Sequence, residues 1–226
     1  MGFVLATAGA AVGLGNIWRF PYLAAEYGGG IFLLTYLLLV FSAGFVLVLT
    51  ESALGRMTGS GVLCAYEKIS RKLSFAGYLT FITPLIIFSF YSVVGGWVMF
   101  YALQFIFGNG SLLADSGYFS VFTAEPVIPA VFTLIFIALT AWIVLRGVRR
   151  GIEKTTRLLM PVLLVMLVVL AAYCICMPGG LDGLWYFFYP DFSKFSAELV
   201  LAALGQMFFT LMIGSGVIMT YGSYLS

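Results

Sequence analysis

The run TAGAAVGLGNIWRFPY (Thr7–Tyr22) sets three glycines, an Asn, an Arg and a Pro inside an otherwise apolar stretch. Gly costs about 1 kcal/mol relative to Ala inside a helix, so Gly9, Gly13 and Gly15 weaken any helix through them. Where such a helix breaks, free carbonyls can bind cations and free amides can bind anions. Asn16 supplies a further oxygen. A second stretch, Leu204–Met219, repeats the theme with Gln206, Thr210, Gly214, Ser215 and Gly216. Glu51 adds a carboxylate inside another apolar run, and an intramembrane carboxylate is functional by default. There is no His, which removes His metal sites and Ser-His or Cys-His catalytic pairs. Cys64, Cys174 and Cys176 form no CxxC pair and are expected to be buried structural thiols. With no acidic pair on a shared face and no nucleophile motif, an enzyme is not expected.

The elements that must hold these residues are membrane spans. Of 226 residues, 62% are hydrophobic and only 9% charged; a soluble domain has roughly a quarter charged. Runs of about 20 apolar residues cross a bilayer as helices. Six qualify, at about 2–25, 31–54, 75–107, 127–145, 158–177 and 197–225. One loop holds Arg56, Lys68, Arg71 and Lys72, and another Arg146, Arg149, Arg150, Lys154 and Arg157, nine of the eleven basic residues. The positive-inside rule puts both loops, and with them both termini, in the cytoplasm of a multi-pass protein of the plasma or inner membrane. Arg146–Arg157 is too short and too closely flanked by spans for a nucleic-acid patch, although it can bind anionic membrane lipid. No cleavable signal peptide is expected.

Broken backbone at membrane depth is tolerated only inside protein or around a wet cavity. Two interrupted spans in one bundle point to a secondary transporter's binding site. Glycines for close helix packing and a channel lining are the alternatives.

The run GAAVGLGNIWRFPYLAAEYGGGIF (Gly9–Phe32) resembles the first-helix signature of the sodium-coupled neurotransmitter and amino-acid symporters. TESALGR (Thr50–Arg56), TPLIIFSFYSVVGGW (Thr83–Trp97) and LGQMFFTLMIGSGVIMTYGSYL (Leu204–Leu225) resemble the end of that family's second helix, its third helix and its sixth. The resemblance implies an all-α membrane protein: six transmembrane helices in a single domain over 1–226. These form the N-terminal half of a twelve-helix, leucine-transporter-type inverted-repeat fold, with helices one and six unwound at mid-membrane.

The resemblance also implies site residues. Ala11, Asn16 and Thr210 match ligands of one sodium, and Gly9 and Val12 match two carbonyls of a second, whose other ligands fall in an eighth helix. Leu14 and Gly15 match amides facing the substrate carboxylate, with Tyr91 as a hydroxyl partner. Ala10, Phe209 and Thr210 match the region that meets the substrate amine, and Ile87, Phe209, Met212 and Ser215 the side-chain pocket. For Ile87 and Met212 a plain core role is the alternative, and for Tyr91 that of an ordinary buried tyrosine. Arg19, Gln206 and Phe209 match gate positions, with snorkelling to the headgroups as the alternative for Arg19. Glu51 matches a carboxylate that hydrogen-bonds the unwound sixth helix, as a structural brace or in a proton role. Tyr36, Gln206 and Thr210 match part of a chloride site whose deciding residues lie in a seventh helix, so chloride coupling stays open.

Gly13 stands where monoamine carriers of the family have Asp, which leaves room for the substrate's own carboxylate. Met212 and Ser215 depart from the bacterial leucine-carrier pattern of a small Ser and a Phe. Together these imply sodium-coupled symport of a neutral amino acid, large and apolar or aromatic. The alternative is a truncated, non-transporting membrane protein that binds or assists.

Overall fold

The computed structural model describes residues 12–13 and 15–224, without the side chains of 148–150. Among these residues the chain is all-helical; its one β feature is an isolated bridge between Gly29 and Pro190. Four helices are long and apolar enough to cross a membrane: Gly30–Thr58, Arg71–Ile106, Val127–Leu145 and Gly151–Cys176. Two compact units are present, residues 1–81 with 156–226, and residues 82–155.

The first unit opens with a π-helical turn, Gly15–Arg19, that runs into α1, Phe20–Glu26. Pro21 sits in the first turn of α1, where a missing N–H costs nothing. The chain then reverses through Gly28 and Gly29, both in the left-handed region at φ 85° and 60°, a conformation open to Gly. Next comes α2, Gly30–Thr58, which contains a π-helical turn at Val40–Gly44. At about 1.5 Å per residue such a helix exceeds the ~30 Å hydrocarbon core. α3, Val62–Ile69, is short and amphipathic. The Lys68 ammonium donates to the Thr58 carbonyl (2.9 Å) and to the Ser60 hydroxyl, so α3 caps the open end of α2.

α4, Ser74–Ile106, begins in this unit and ends in the other. The second unit also holds α5, Gly110–Leu113, α6, Tyr118–Ala124, and α7, Val127–Leu145. Aromatic rings hold it together: Phe100 stacks on Phe122 at 4.5 Å, and Phe132 meets Phe100 edge-on at 5.2 Å. Such pairs are worth about 1 kcal/mol beyond the area they bury.

α8, Lys154–Cys176, leads to α9, Gly180–Phe188, and then to α10, Ala197–Thr210, and α11, Val217–Gly222. Ser196 starts α10 by accepting the Leu199 N–H at 3.1 Å. Between α9 and α10, Asp191 accepts from the Ser193 hydroxyl (2.6 Å) and amide (3.0 Å), bonds that hold its carboxyl below the usual range. A buried core of the first unit joins α1, α2 and α10 through Leu23, Ala24, Ile31, Phe32, Leu199 and Ala203.

Neither α7 nor α8 buries a described side chain within the protein, and Cys64, Cys174 and Cys176 are exposed. The expectation of buried thiols is therefore corrected. In a bilayer an apolar run marks contact with lipid as readily as burial in protein, since lipid tails are as apolar as Leu.

The α2–α11 contact is made by backbone. A Cβ on Gly55 would overlap the Met219 carbonyl, and one on Gly222 would collide with the Ser52 carbonyl. Gly55→Val is expected to destabilise the protein by about 3 kcal/mol. Gly59→Ala, with φ 55° but nothing within 4 Å, should cost about 1 kcal/mol. Thermal unfolding in detergent compares the two, and equal shifts would contradict the backbone contact.

Candidate functional site

A helix start and a turn between two helices meet in the first unit. The earlier feature lies at Gly13, whose carbonyl accepts the N–H groups of Asn16 (3.0 Å) and Ile17 (3.3 Å) and so opens the π-helical turn. The later one is the turn Leu211–Gly216 between α10 and α11, with Met212 (φ 55°), Gly214 (76°) and Gly216 (72°) in the left-handed region. Met212 is the non-glycine residue among them, a conformation that costs about 1–2 kcal/mol.

Side chains close both features. The Gln206 amide, fully buried, donates to the Gly15 carbonyl at 3.1 Å and to the Thr210 hydroxyl at 3.2 Å. The Thr210 hydroxyl in turn donates to Asn16 Oδ1 at 2.8 Å. One α10 turn thereby binds both the backbone and the side chain of the π-helical turn. In the later turn, the Gly214 amide donates to Glu51 Oε1 of α2 at 2.7 Å. The Ser215 hydroxyl donates to the Met212 carbonyl at 2.5 Å. Among the described residues, Gln206 Oε1 and Glu51 Oε2 are buried without a hydrogen-bond partner.

The sequence-predicted residues distribute unevenly. Gly15, Asn16, Gln206, Phe209 and Thr210 converge. The Phe209 ring lies against Gly15 so closely that a Cβ there would overlap it, and the Arg19 guanidinium sits 5.9 Å from the ring centroid. Val12 and Gly13 precede the turn, both half-buried. Tyr36 is half-buried, its ring 5.0 Å from that of Phe20. Met212, half-buried, and Ser215, buried, belong to the later turn. Ile87 and Tyr91 lie on α4 in the second unit, both half-buried, with the Tyr91 ring 6.0 Å from Phe90. Gly9, Ala10, Ala11 and Leu14 lie outside the described residues.

Sequence reasoning missed two features. Gln206 was expected as a gate residue, and it also ties down the Gly15 carbonyl. The left-handed backbone at Met212 carries no sequence signal, because Gly and Asn are the usual markers.

Chemically, Asn16 Oδ1 and Thr210 Oγ1 are neutral, hard oxygens brought within 2.8 Å of each other, which fits a hard cation such as sodium. Among the described residues no cluster of three His, Cys, Asp or Glu offers a multivalent-metal site.

The family model for the sodium:neurotransmitter symporter family matches residues 1–110 and 127–226. A sodium-dependent transporter of Bacillus subtilis, YhdH, is 36% identical over 100% of this chain and 51% of its own length. The human sodium- and chloride-dependent GABA transporter 2 is 28% identical over 99% of this chain and 44% of its own. Among solved structures, that of MhsT in complex with L-phenylalanine superposes with a TM-score of 0.89 at 41% identity, covering 100% of this chain and 52% of that one. The chain spans about half the length of the curated relatives it matches.

Removing the Glu51 carboxylate while keeping its environment tests the brace. Glu51→Ala leaves the Gly214 N–H unpaired and should cost about 1–3 kcal/mol. Glu51→Gln keeps an acceptor and should cost under half as much, read as the difference in unfolding midpoint.

Proposed function

The chain belongs to the sodium:neurotransmitter symporter family, whose members matched here are sodium-dependent transporters and not enzymes; on that premise we propose that it forms the N-terminal half of a sodium-coupled amino-acid symporter. The observation that carries this reading is the bond from Thr210 to Asn16. It brings a hydroxyl of α10 and a side-chain oxygen of the π-helical turn to one point.

In this reading Asn16 and Thr210, with the Ala11 carbonyl, hold one sodium. Carbonyls of Gly9 and Val12 contribute to a second site that needs residues from elsewhere. Bound sodium supplies fixed positive charge that attracts a substrate carboxylate. The chain's own groups do the orienting: amides of Leu14 and Gly15 receive the carboxylate, while carbonyls near Ala10, Phe209 and Thr210 receive the amine. Gln206 keeps Gly15 in place for that role. Phe209 and Arg19 form the outer edge, and their 5.9 Å approach supports a gate there. Substrate and ion stabilise each other's sites, so each raises the affinity for the other. The turns at Gly13–Asn16 and Leu211–Gly216 are the unwound points of helices one and six, six spans cross the plasma or inner membrane, and both termini are cytoplasmic.

The substrate is a neutral amino acid, large and apolar or aromatic. Gly13 presents no competing carboxylate. Ser215 is small, and its hydroxyl is spent on the Met212 carbonyl, so the space it leaves is apolar in character. The phenylalanine bound in MhsT agrees with that preference.

Proteoliposomes carrying the complete transporter test this. An inward sodium gradient should drive uptake of L-phenylalanine, competed by neutral amino acids; competition by monoamines alone would refute the substrate class. On the 226-residue chain itself, sodium should raise the unfolding midpoint, and Thr210→Val should abolish that rise. Ser215→Phe should shift competition toward smaller amino acids by about tenfold, the order that one methylene to a few changes in an apolar pocket give. Unchanged selectivity would remove Ser215 from the pocket.

A further inference from the structure

The turn after α7 has a chemistry that the symport site does not use. α7 ends in Trp142, Val144, Leu145 and Arg146, all exposed. Leu145 is 86% exposed and Trp142 54%, so an open apolar surface runs up to the cation. The Arg146 guanidinium carbon lies 3.6 Å from the centroid of the Trp142 ring, four residues back and one turn below. That stacking fixes the guanidinium plane while leaving its N–H donors at the rim, a pairing stronger for Arg than for Lys.

The backbone then folds back on itself. Gly147 takes φ 80°, and its carbonyl accepts the N–H groups of Gly151 (2.8 Å) and Ile152 (3.3 Å). Gly151 packs so closely that a Cβ would overlap the Ile143 carbonyl and come 3.2 Å from Arg146 Cβ. This close return brings the start of α8, at Lys154, back to the end of α7. Lys154 is exposed. Among the described residues the side chains of Arg146 and Lys154 make no ion pair or hydrogen bond, whereas Glu153, the acid of the turn, has a partner of its own. The sequence adds Arg149 and Arg150 to the formal charge of the same turn.

We propose that the α7–α8 turn binds the headgroup of an anionic phospholipid, with the phosphate held by Arg146 and Lys154 and the acyl chains lying along Trp142 and Leu145. Two complementarities select that occupant. The cations match a phosphate diester, and the exposed apolar surface beside them matches the chains attached to it. A soluble anion would use the first and waste the second. Trp142 acts as an interfacial anchor that sets the depth of the guanidinium. The proposal rests on the membrane reading of the chain and not on its transport activity.

Native mass spectrometry of the protein released from detergent, after incubation with phosphatidylglycerol or phosphatidylcholine, tests it. Phosphatidylglycerol should stay bound and phosphatidylcholine should not. Arg146→Gln and Lys154→Gln should each reduce retention about fivefold, the weight of one basic residue near an anionic surface. Trp142→Leu, which leaves every charge in place, should reduce it about threefold. Lys72→Gln, in the other basic loop, should leave it unchanged. Unfolding midpoints of these exposed-site variants check that each is folded. The proposal is overturned if Arg146→Gln behaves like Lys72→Gln, if the two lipids are retained equally, or if excess inorganic phosphate displaces the phosphatidylglycerol.

Discussion

A bilayer offers no water to a broken helix. Each N–H and C=O freed at membrane depth must find a partner within the protein or cost several kcal/mol. The first unit is organised around that constraint. Its helix start at Gly15 and its turn at Leu211–Gly216 are closed by four side chains: Gln206, Thr210, Glu51 and Ser215. Three of those four bonds join segments more than 160 residues apart in sequence. The break in one element is therefore a reason for the other to be where it is. The polar groups that look out of place in an apolar chain are the means by which its irregular backbone is tolerated.

The same constraint explains the division of labour between side chains and glycines. Where helices remain regular, main-chain groups are already satisfied, and contact is governed by shape. There α2 and α11 meet through Gly55 and Gly222. Where helices are broken, polar side chains take over. Lys68 extends this to a helix end, donating to the carbonyl of Thr58 that the helix itself leaves open.

Much of this was legible in the residues. Apolar runs of spanning length located the four long helices, and the cluster Gly214–Gly216 located the turn between α10 and α11. Glu51 and Gln206 declared themselves as polar residues with no business in a span, and each proves to hold a turn. The misses have physical causes. Cys174 and Cys176 lie in an apolar run, and sequence alone does not distinguish lipid from protein as the solvent of that run. Met212 has no backbone signature, since its left-handed conformation is imposed by the turn around it. That Gln206 reaches Gly15 depends on how α10 lies against the chain before α1, a long-range relation that local pattern does not contain.

The glycine contact between α2 and α11 has a mechanical consequence. Main-chain atoms have no rotamers, so the two surfaces cannot yield by rearranging side chains. If α11 slipped along α2, the bulk of Met219 or Ser52 would be driven into a neighbour's backbone, and Glu51 would lose the Gly214 amide. The pair therefore behaves as a single strut. Any swing of α10 relative to it must be taken up between Leu211 and Gly216, where Gly214 is exposed and has open space on its side-chain side. That residue is the natural pivot, and the Glu51 carboxylate is the pin through it.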